Sequence, residues 1–226
     1  MEEKKVVDLK KGEFTLREYI KHYLGKGKVS KVRIEYTPVG EKIVVSTSKP
    51  GLIIGRGGEK IEALTNTVRK KFKLENPHIE IEEITEPEYD SQIVADDIAM
   101  GLENSGPLKF KVIAYRSLQR IMRAGALGAE IRLGGKLPGS RAKTWRFSQG
   151  YLKKVGESAK VVDRAKAIAH TKPGVVGVKV SILSPHVKLK DKIVIDEEFL
   201  NKLKAGNEKL KEPVKKKIVG KKAKKK

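Results

Sequence analysis

The feature that most constrains this chain is the glycine-rich stretch K-P-G-L-I-I-G-R-G-G-E-K at residues 49–60. Within it Gly55, Gly57 and Gly58 interrupt an apolar run, and Arg56 is the side chain that stands among them. Glycine adopts backbone conformations that other residues avoid, so the stretch predicts a tight loop between two apolar segments. A cationic loop of this kind fits a nucleotide cradle, a clamp on a nucleic-acid backbone, or a turn without a ligand.

The segments around the loop predict a helix, two strands, a short helix, a longer helix and a third strand. Strict alternation in K-V-R-I-E-Y indicates a half-buried strand, and K-I-V-V-S-T-S follows as its hairpin partner. Apolar residues at helical spacing mark the longer helix after the loop. In chain order, the predicted elements lie at residues 14–24, 31–36, 42–48, 50–54, 59–72 and 78–84.

The first helix is expected to begin at Phe14. Thr15 and Glu18 have the spacing of a capping box, and Phe14 is placed to contact Tyr19 as a hydrophobic staple. Residues 1–13 are therefore interpreted as an N-terminal extension.

The residues after the glycines exclude two common phosphate-binding loops. A P-loop ends in Gly-Lys-Ser/Thr, whereas Gly58 is followed by Glu59 and Lys60. A dinucleotide fingerprint reads G-x-G-x-x-G after a parallel strand, whereas this stretch reads G-x-G-G after a hairpin. A G-x-x-G loop remains, in which Arg56 and the N–H groups of the next helix attract phosphate. The order αββααβ resembles the type II KH fold, and a turn without a ligand stays as the alternative.

Residues beyond 90 predict a second α+β domain. Helices are expected at 91–104 and 107–124, and Pro107 suits the first position of the second helix. The segment 159–171 fits either a helix or a strand, because its alanines favour a helix but also alternate. Alternation predicts strands at 129–133, 143–148 and 175–183. We expect helices packed on a four-stranded, mainly antiparallel sheet.

The predicted organisation has five parts. They are an N-terminal extension at 1–13, a type II KH domain at 14–86, a linker and helix at 87–106, a C-terminal α+β domain at 107–190 and a basic tail at 191–226. The tail is expected to be disordered, because twelve lysines and few apolar residues after residue 201 cannot build a core.

Charge is distributed unevenly along the chain. Residues 1–90 have a net charge of +2, although the whole chain has a net charge of +22. A polyanionic partner such as nucleic acid is the natural interpretation. An anionic membrane is the rival, but no basic amphipathic helix with Trp or Phe on its apolar face supports it. The chain has no cysteine, no apolar run of about 18 residues and no apolar N-terminus. We therefore expect a soluble, cytoplasmic protein with no membrane contact.

The helix predicted at 107–124 has a basic stripe opposite its apolar side. Its four cations lie within about 60° of each other and include no carboxylate, which favours an RNA-binding surface over a solvated face. They are Lys109, Arg116, Arg120 and Arg123.

Trp145 and Phe147 are interpreted as core residues. The acidic residues between 80 and 90 are interpreted as a solvated edge and linker, and contact with a basic protein is the less favoured alternative.

The second half also resembles a known family. The stretch M-R-A-G-A-L-G-A-E-I-R-L-G-G-K-L-P-G-S-R-A-K-T-W-R-F, with the later T-K-P-G-V-V-G-V-K-V-S-I-L, is similar to the second domain of small-subunit ribosomal protein three. The resemblance covers roughly residues 14–185, and G-K-L-P-G-S-R-A-K, the lysine tail and the absence of cysteine resemble the archaeal type. It implies a structural protein in the head of the small subunit. The implied partners are small-subunit ribosomal RNA, messenger RNA and neighbouring ribosomal proteins.

The sequence departs from the family at one functional position. Bacterial members have a basic cluster early in the long helix that is linked to messenger unwinding. The matching residues here are Lys111, Val112 and Tyr115, of which only Lys111 is basic. The role is therefore absent here or has moved to Arg116 and Arg120.

The candidate RNA-binding residues form three groups. They are Gly55, Arg56, Gly57, Gly58 and Lys60 in the loop; Lys109, Lys111, Arg116, Arg120 and Arg123 on the helix; and Arg132, Lys136, Arg141, Lys143 and Arg146 around the second glycine-rich segment. No catalytic residue, cofactor or metal site is predicted, because the four histidines are scattered. A DNA-repair lyase or endonuclease and a free KH-type regulator of RNA are the alternative functions.

Overall fold

The computed structural model describes residues 2–38, 40–72, 74, 76–139, 141–187 and 189. Residues as far as Val187 belong to one compact unit, which contains both predicted domains. The basic tail predicted at 191–226 lies outside the described residues.

The first half has the predicted order αββααβ, so the KH-type fold is confirmed. Strand β2 lies between β1, to which it is antiparallel, and β3, to which it is parallel. A 3₁₀ turn, Arg56–Gly58, separates the two helices that flank the glycine loop. The elements are α1 Glu2–Leu24, β1 Val32–Thr37, β2 Gly40–Thr47, α2 Pro50–Ile54, α3 Glu59–Phe72 and β3 His78–Glu83.

Helix α1 starts at Glu2 rather than at Phe14, so the predicted helix start was wrong. Thr15 Oγ1 donates to the Lys11 carbonyl at 2.9 Å, as a hydroxyl within a helix does, and therefore caps no N-terminus. The predicted staple was also wrong, because Phe14 is 65% exposed. The segment before Phe14 is rich in Lys, Glu and other strong helix formers, and Lys10 Nζ lies 3.1 Å from the Glu13 carboxylate.

A small core joins the helices of the first half to one face of its sheet. Its side chains come from all three helices and from all three strands. Ile20, Ile43, Ile53 and Leu64 are fully buried in it. Since Ile53 lies in α2, this core holds the short helix that precedes the glycine loop.

The second half is confirmed as helices on a four-stranded antiparallel sheet with the order β5-β4-β7-β6. The ambiguous segment is strand β6, whose alanines face the core in alternation with exposed residues. The elements are α4 Ser91–Ser105, α5 Phe110–Arg123, β4 Gly128–Gly135, β5 Lys143–Gly150, β6 Asp163–Thr171 and β7 Gly174–Leu183. Short 3₁₀ turns at Pro87–Tyr89, Pro107–Lys109 and Glu157–Lys160 connect them.

Helices α4 and α5 cover one face of this sheet. The buried side chains of Ile98 and Leu102 in α4 and of Ala114 and Leu118 in α5 belong to the same core as the inward residues of all four strands. Helix α4, which the sequence placed with a linker, is therefore a structural part of the second core. None of the helices described here is long and apolar enough to cross a membrane.

The loop after α1 connects the two halves through polar contacts to α4. Lys26 Nζ lies 2.8 Å from Glu103 Oε1, and the Gly27 N–H donates to Asp96 Oδ2 at 3.0 Å. Hydrogen bonding from Lys26 lowers the pKa of Glu103, whereas burial raises the pKa of Asp96. These contacts fix the KH-type half on the second core.

Asp90 caps helix α4 and links it to the first half. Its carboxylate accepts hydrogen bonds from the Gln92 N–H at 2.9 Å and the Ile93 N–H at 3.2 Å, and also from the Ser30 hydroxyl. Replacing Asp90 with Ala should lower the free energy of unfolding by about 1–2 kcal/mol, because two helix N–H groups and the Ser30 hydroxyl lose their acceptor. Urea denaturation measures the loss.

The matched control is Asp90→Asn, because an asparagine oxygen still caps a helix. It should retain most of the stability that Asp90→Ala loses. Equal unfolding free energies for the parent and Asp90→Ala would contradict the capping role.

Candidate nucleic-acid interface

The glycine loop is held open by backbone conformations that favour glycine. Gly55, Gly57 and Gly58 have φ values of 76°, 60° and 83°. A Cβ on Gly55 would lie 2.8 Å from Lys60 Cγ, whereas ideal Cβ positions on Gly57 and Gly58 have no atom within 4 Å. The tip of the loop is thus an open backbone surface that a ligand can approach closely.

The charges around this loop are mixed. The Arg56 and Lys60 side chains are exposed, as a role in phosphate binding requires. Helix α3 begins directly after the glycines, but its first turn also carries Glu59 and Glu62, which offset the positive end of the helix. Arg56 is therefore the cation best placed to attract phosphate to the loop.

Helix α5 presents its predicted basic stripe on the side opposite its core. Phe110, Ala114, Leu118 and Ile121 are buried. The four cations of the stripe are exposed: Arg116, Arg120 and Arg123 in α5, and Lys109 in the 3₁₀ turn that precedes the helix. The sequence did not reveal that one of them has an acidic neighbour on another helix: Arg120 Nη1 lies 3.6 Å from Asp97 Oδ2 of α4.

The stripe and the glycine-rich stretch lie near each other. Arg120 lines a cleft together with Lys49, the first residue of that stretch, and with Asp97 and Glu88. The fold therefore brings the end of α5 close to the residue that precedes helix α2.

Lys111 contacts an aromatic side chain rather than joining the stripe. Its Nζ lies 4.7 Å from the centre of the Trp145 ring, within the range of a cation–π contact. Phe147 is buried as predicted, but Trp145 is 38% exposed, so its interpretation as a core residue was wrong. Trp145 lies on an edge strand, where only one neighbouring strand shields it.

The segment between β4 and β5 exposes its cations. Lys136, Arg141 and Lys143 all have exposed side chains. Leu137 is buried in the second core and anchors the start of this segment. The buried leucine thus holds in place a chain segment whose charges point to solvent.

Arg132 and Arg146 are directly opposite each other on β4 and β5, and both contact the buried carboxylate of Glu130. Lys154 Nζ lies 2.6 Å from Glu130 Oε2, and Arg146 Nη2 lies 3.1 Å from the same atom. Burial alone would raise the pKa of Glu130, but hydrogen bonds from Lys154 and Arg132 outweigh it and hold the pKa below its usual range. Glu130 stays charged and orients the three cations.

Four cations near Arg132 and Arg146 were not predicted from the sequence. They are Lys154, Arg164, Lys166 and Lys179, and all four are exposed. Arg164 and Lys166 were missed because segment 159–171 was ambiguous, although its alternation of alanines with charged residues was the available signal. Lys179 alternates with buried valines in the same way.

The part of the chain that the structure describes contains no cluster of His, Cys, Asp or Glu side chains that could hold a metal ion. The candidate binding residues instead supply cations, backbone N–H groups and an aromatic ring. Such groups recognise phosphate and nucleobases.

Comparison with known families agrees with both halves of the fold. The KH domain family matches residues 15–89. The family described as ribosomal protein S3, C-terminal domain, matches residues 98–182. The two matches confirm both resemblances found in the sequence.

Relatives of known name match most of the chain. The small ribosomal subunit protein uS3 of Methanocaldococcus jannaschii is 43% identical over 182 residues, which are 80% of this chain and 86% of the relative. The uS3 of Methanosphaera stadtmanae is 40% identical over 80% of this chain and 71% of its own length. That of Methanothermobacter thermautotrophicus is 41% identical over 77% of this chain and 67% of its own length.

The Glu130 cluster gives a pH-dependent prediction. Glu130→Gln should lower the free energy of unfolding at pH 7 by about 2–4 kcal/mol, because it removes a buried carboxylate from three cations. The folded pKa of Glu130 is lowered, so its stabilisation is present above the unfolded value of about 4.5 and is lost as pH falls through the folded pKa. The difference between parent and variant should therefore shrink in urea titrations at acid pH.

Asp97→Asn is the matched control, because it also converts a carboxylate to an amide in an ion pair with arginine. Both partners of this pair are about half exposed, so its loss should cost at most about 1 kcal/mol. A Glu130→Gln variant as stable as this control at pH 7 would contradict the proposed role of the cluster.

Proposed function

The chain belongs to the family of small ribosomal subunit protein uS3, and we propose that it is a structural constituent of the small ribosomal subunit. In this proposal it binds ribosomal RNA in the head of the subunit, helps to form the path by which messenger RNA enters, and works in the cytoplasm. The observation that carries the proposal is 43% identity to a relative of that name across 80% of the chain. That shared identity favours a ribosomal role over a repair enzyme or a free regulator.

The second half is the proposed anchor on ribosomal RNA. The exposed cations of α5, of segment 136–143 and of β4 and β5 supply the phosphate contacts. Phosphate contacts position a protein without reading base sequence, which suits a protein with a fixed place in an assembly. Residues 1–90 have a net charge of only +2, so the first half should contribute less to the affinity for RNA.

The glycine loop and the start of α5 are the proposed contacts with messenger RNA. The open backbone at Gly57 and Gly58 admits a sugar–phosphate chain, and Arg56 attracts its charge. Lys111 beside the half-exposed Trp145 adds a cation and an aromatic surface on which a base can stack. Exposed side chains elsewhere on the KH-type half are left for neighbouring proteins of the head.

Sedimentation tests the ribosomal role. A lysate of cells containing the chain is run through sucrose gradients at high and at low magnesium, and the chain is followed by immunoblot. We expect it in intact ribosomes at high magnesium and with the small subunit when low magnesium separates the subunits. A chain that stays near the top of both gradients would exclude the ribosomal role and favour an enzyme or a free regulator.

Charge reversal in the glycine loop tests the clamp. The double variant Arg56→Asp, Gly57→Asp places two negative charges where phosphate would lie. We expect crosslinking of messenger RNA to the loop to fall by about tenfold or more, the order expected for losing one charge-assisted contact, while the protein still assembles into the subunit. Crosslinking in purified subunits measures the effect.

The matched control is Arg56→Gln, Gly57→Asn, which imposes a similar backbone cost at Gly57 without adding negative charge. It should crosslink more than the aspartate variant and less than the parent. If all three proteins crosslink equally, the loop is a turn without a ligand.

A further inference from the structure

The outward face of the four-stranded sheet is a cationic surface that the proposed function does not use as a whole. In the described part of the chain α4 and α5 pack on the inward face, so residues at alternate positions of every strand point away from the core. Six outward or bordering cations are exposed: Arg132, Arg146, Lys154, Arg164, Lys166 and Lys179. We define these residues, together with Gly134 and Gly177 beside them, as the outer sheet face.

Four of these cations form a continuous row across the sheet. Arg146 is opposite Arg132, Arg132 is opposite Lys179, and Lys179 is opposite Lys166. Neighbouring strands are about 4.8 Å apart, so the row extends about 14 Å. Each strand contributes one cation at the same level, and strand pairing rather than a flexible loop fixes their order.

This row is unfavourable for the isolated protein. Like charges directly opposite each other destabilise a sheet. Glu130 contacts Arg132 and Arg146, but no described carboxylate lies within ion-pair distance of Lys166 or Lys179. One end of the row is therefore neutralised from within, and the other end has no acidic partner among the described residues.

A pair of glycines lies beside the row. Gly134 and Gly177 are opposite each other in the two central strands, one outward position away from Arg132 and Lys179. A Cβ on Gly177 would meet only Gly134 O at 3.7 Å, so packing leaves room for a side chain. Glycine inside a strand weakens it, and it often marks a place where another backbone approaches closely.

We propose that the outer sheet face binds the sugar–phosphate backbone of RNA, with the cation row on the phosphates and the Gly134–Gly177 pair as the floor on which the backbone rests. This proposal rests on the proposed binding of ribosomal RNA and adds a surface, with Lys166, Lys179 and the two glycines, to that function. A groove along this face is lined by the cations Arg132, Lys153, Lys154, Arg164, Lys166 and Lys179, together with Glu130 and Ser181.

RNA fits this face better than an acidic protein does. Protein–protein interfaces are depleted in lysine, whereas phosphate binding uses both lysine and arginine. A rigid row of cations beside a bare backbone surface suits a chain of regularly spaced phosphates, which is recognised by shape and charge rather than by base sequence.

Lys179→Glu tests the proposal in the full chain. The new carboxylate would lie between Arg132 and Lys166 and would neutralise them as well as remove one cation. For an RNA hairpin with a stem of about 16 base pairs, we expect an affinity loss of about tenfold or more. The slope of log affinity against log salt should shrink by about one to three units. The melting temperature at low salt should equal or exceed that of the parent, because cross-strand charges now attract.

Two further variants make the result specific. Lys70→Glu makes the same charge change at an exposed position of α3 and should alter the affinity much less. Gly177→Ala should leave the melting temperature unchanged or higher. It should weaken binding to the hairpin, because its methyl group would occupy the space in which the RNA backbone is proposed to rest. If Lys179→Glu fails to fold, Lys179→Gln provides the same comparison without the new charge and should shrink the slope by about one unit.

The outcomes separate this proposal from the ribosomal role. Affinities and slopes for Lys179→Glu that equal those of Lys70→Glu would overturn the outer sheet face as an RNA site. If Arg116→Glu on α5 weakens RNA binding in the same experiment, the proposed function stands without this surface. A third outcome would assign the face to an acidic protein instead. In that case the parent would bind polyglutamate and Lys179→Glu would not, while both proteins would bind the hairpin with equal affinity. A failure in the sedimentation experiment would reject the ribosomal role alone.

Discussion

The packing of α4 and α5 against one face of the four-stranded sheet is the interaction on which the rest of the structure depends. Burial of each large aliphatic side chain in this layer contributes roughly 1.5–3 kcal/mol. Strands β4 and β7 supply such side chains, whereas β5 supplies Phe147 and β6 supplies alanines. Because side chains alternate along a strand, burying one set forces the other set to point outward. The apolar core therefore determines which cations are exposed, and the same layer fixes α5 with its basic stripe outward.

The exposed cations carry an energetic cost that the core offsets. Stabilising pairs are available where the sequence provides them: the buried Glu130 contacts three cations, and Asp97 contacts Arg120. The remaining cations repel each other until an anion binds. A protein that gains stability when RNA binds is suited to an assembly, because binding of the folded state alone shifts the folding equilibrium.

Much of this arrangement could be predicted from the sequence, and the failures have physical causes. Alternation and helical spacing gave the order of elements in both halves, and the G-x-x-G loop has the conformation that its glycines require. The start of α1 was missed because Thr15 and Glu18 match a capping pattern that a continuing helix also tolerates. The exposure of Trp145 at the edge of the sheet was not predicted, because it depends on tertiary packing. The contact of Arg120 with Asp97 was not predicted for the same reason, because it joins two different helices. Segment 159–171 was ambiguous because alanine suits both structures, and only pairing with β7 made it a strand.

The proposed function divides RNA binding between the two halves according to their charge and rigidity. In that proposal the KH-type half binds RNA adaptably and weakly, because it is nearly neutral and places its cation on an open glycine loop. Residues 91–190 have a net charge of +13, and their exposed cations include those of α5 and of the strands, whose spacing the core fixes. Contacts of the loop after α1 with Glu103 and Asp96 join the halves. In the same proposal, once the second half is anchored on RNA, these contacts hold the glycine loop near its RNA, so weak binding by the loop acts at high effective concentration.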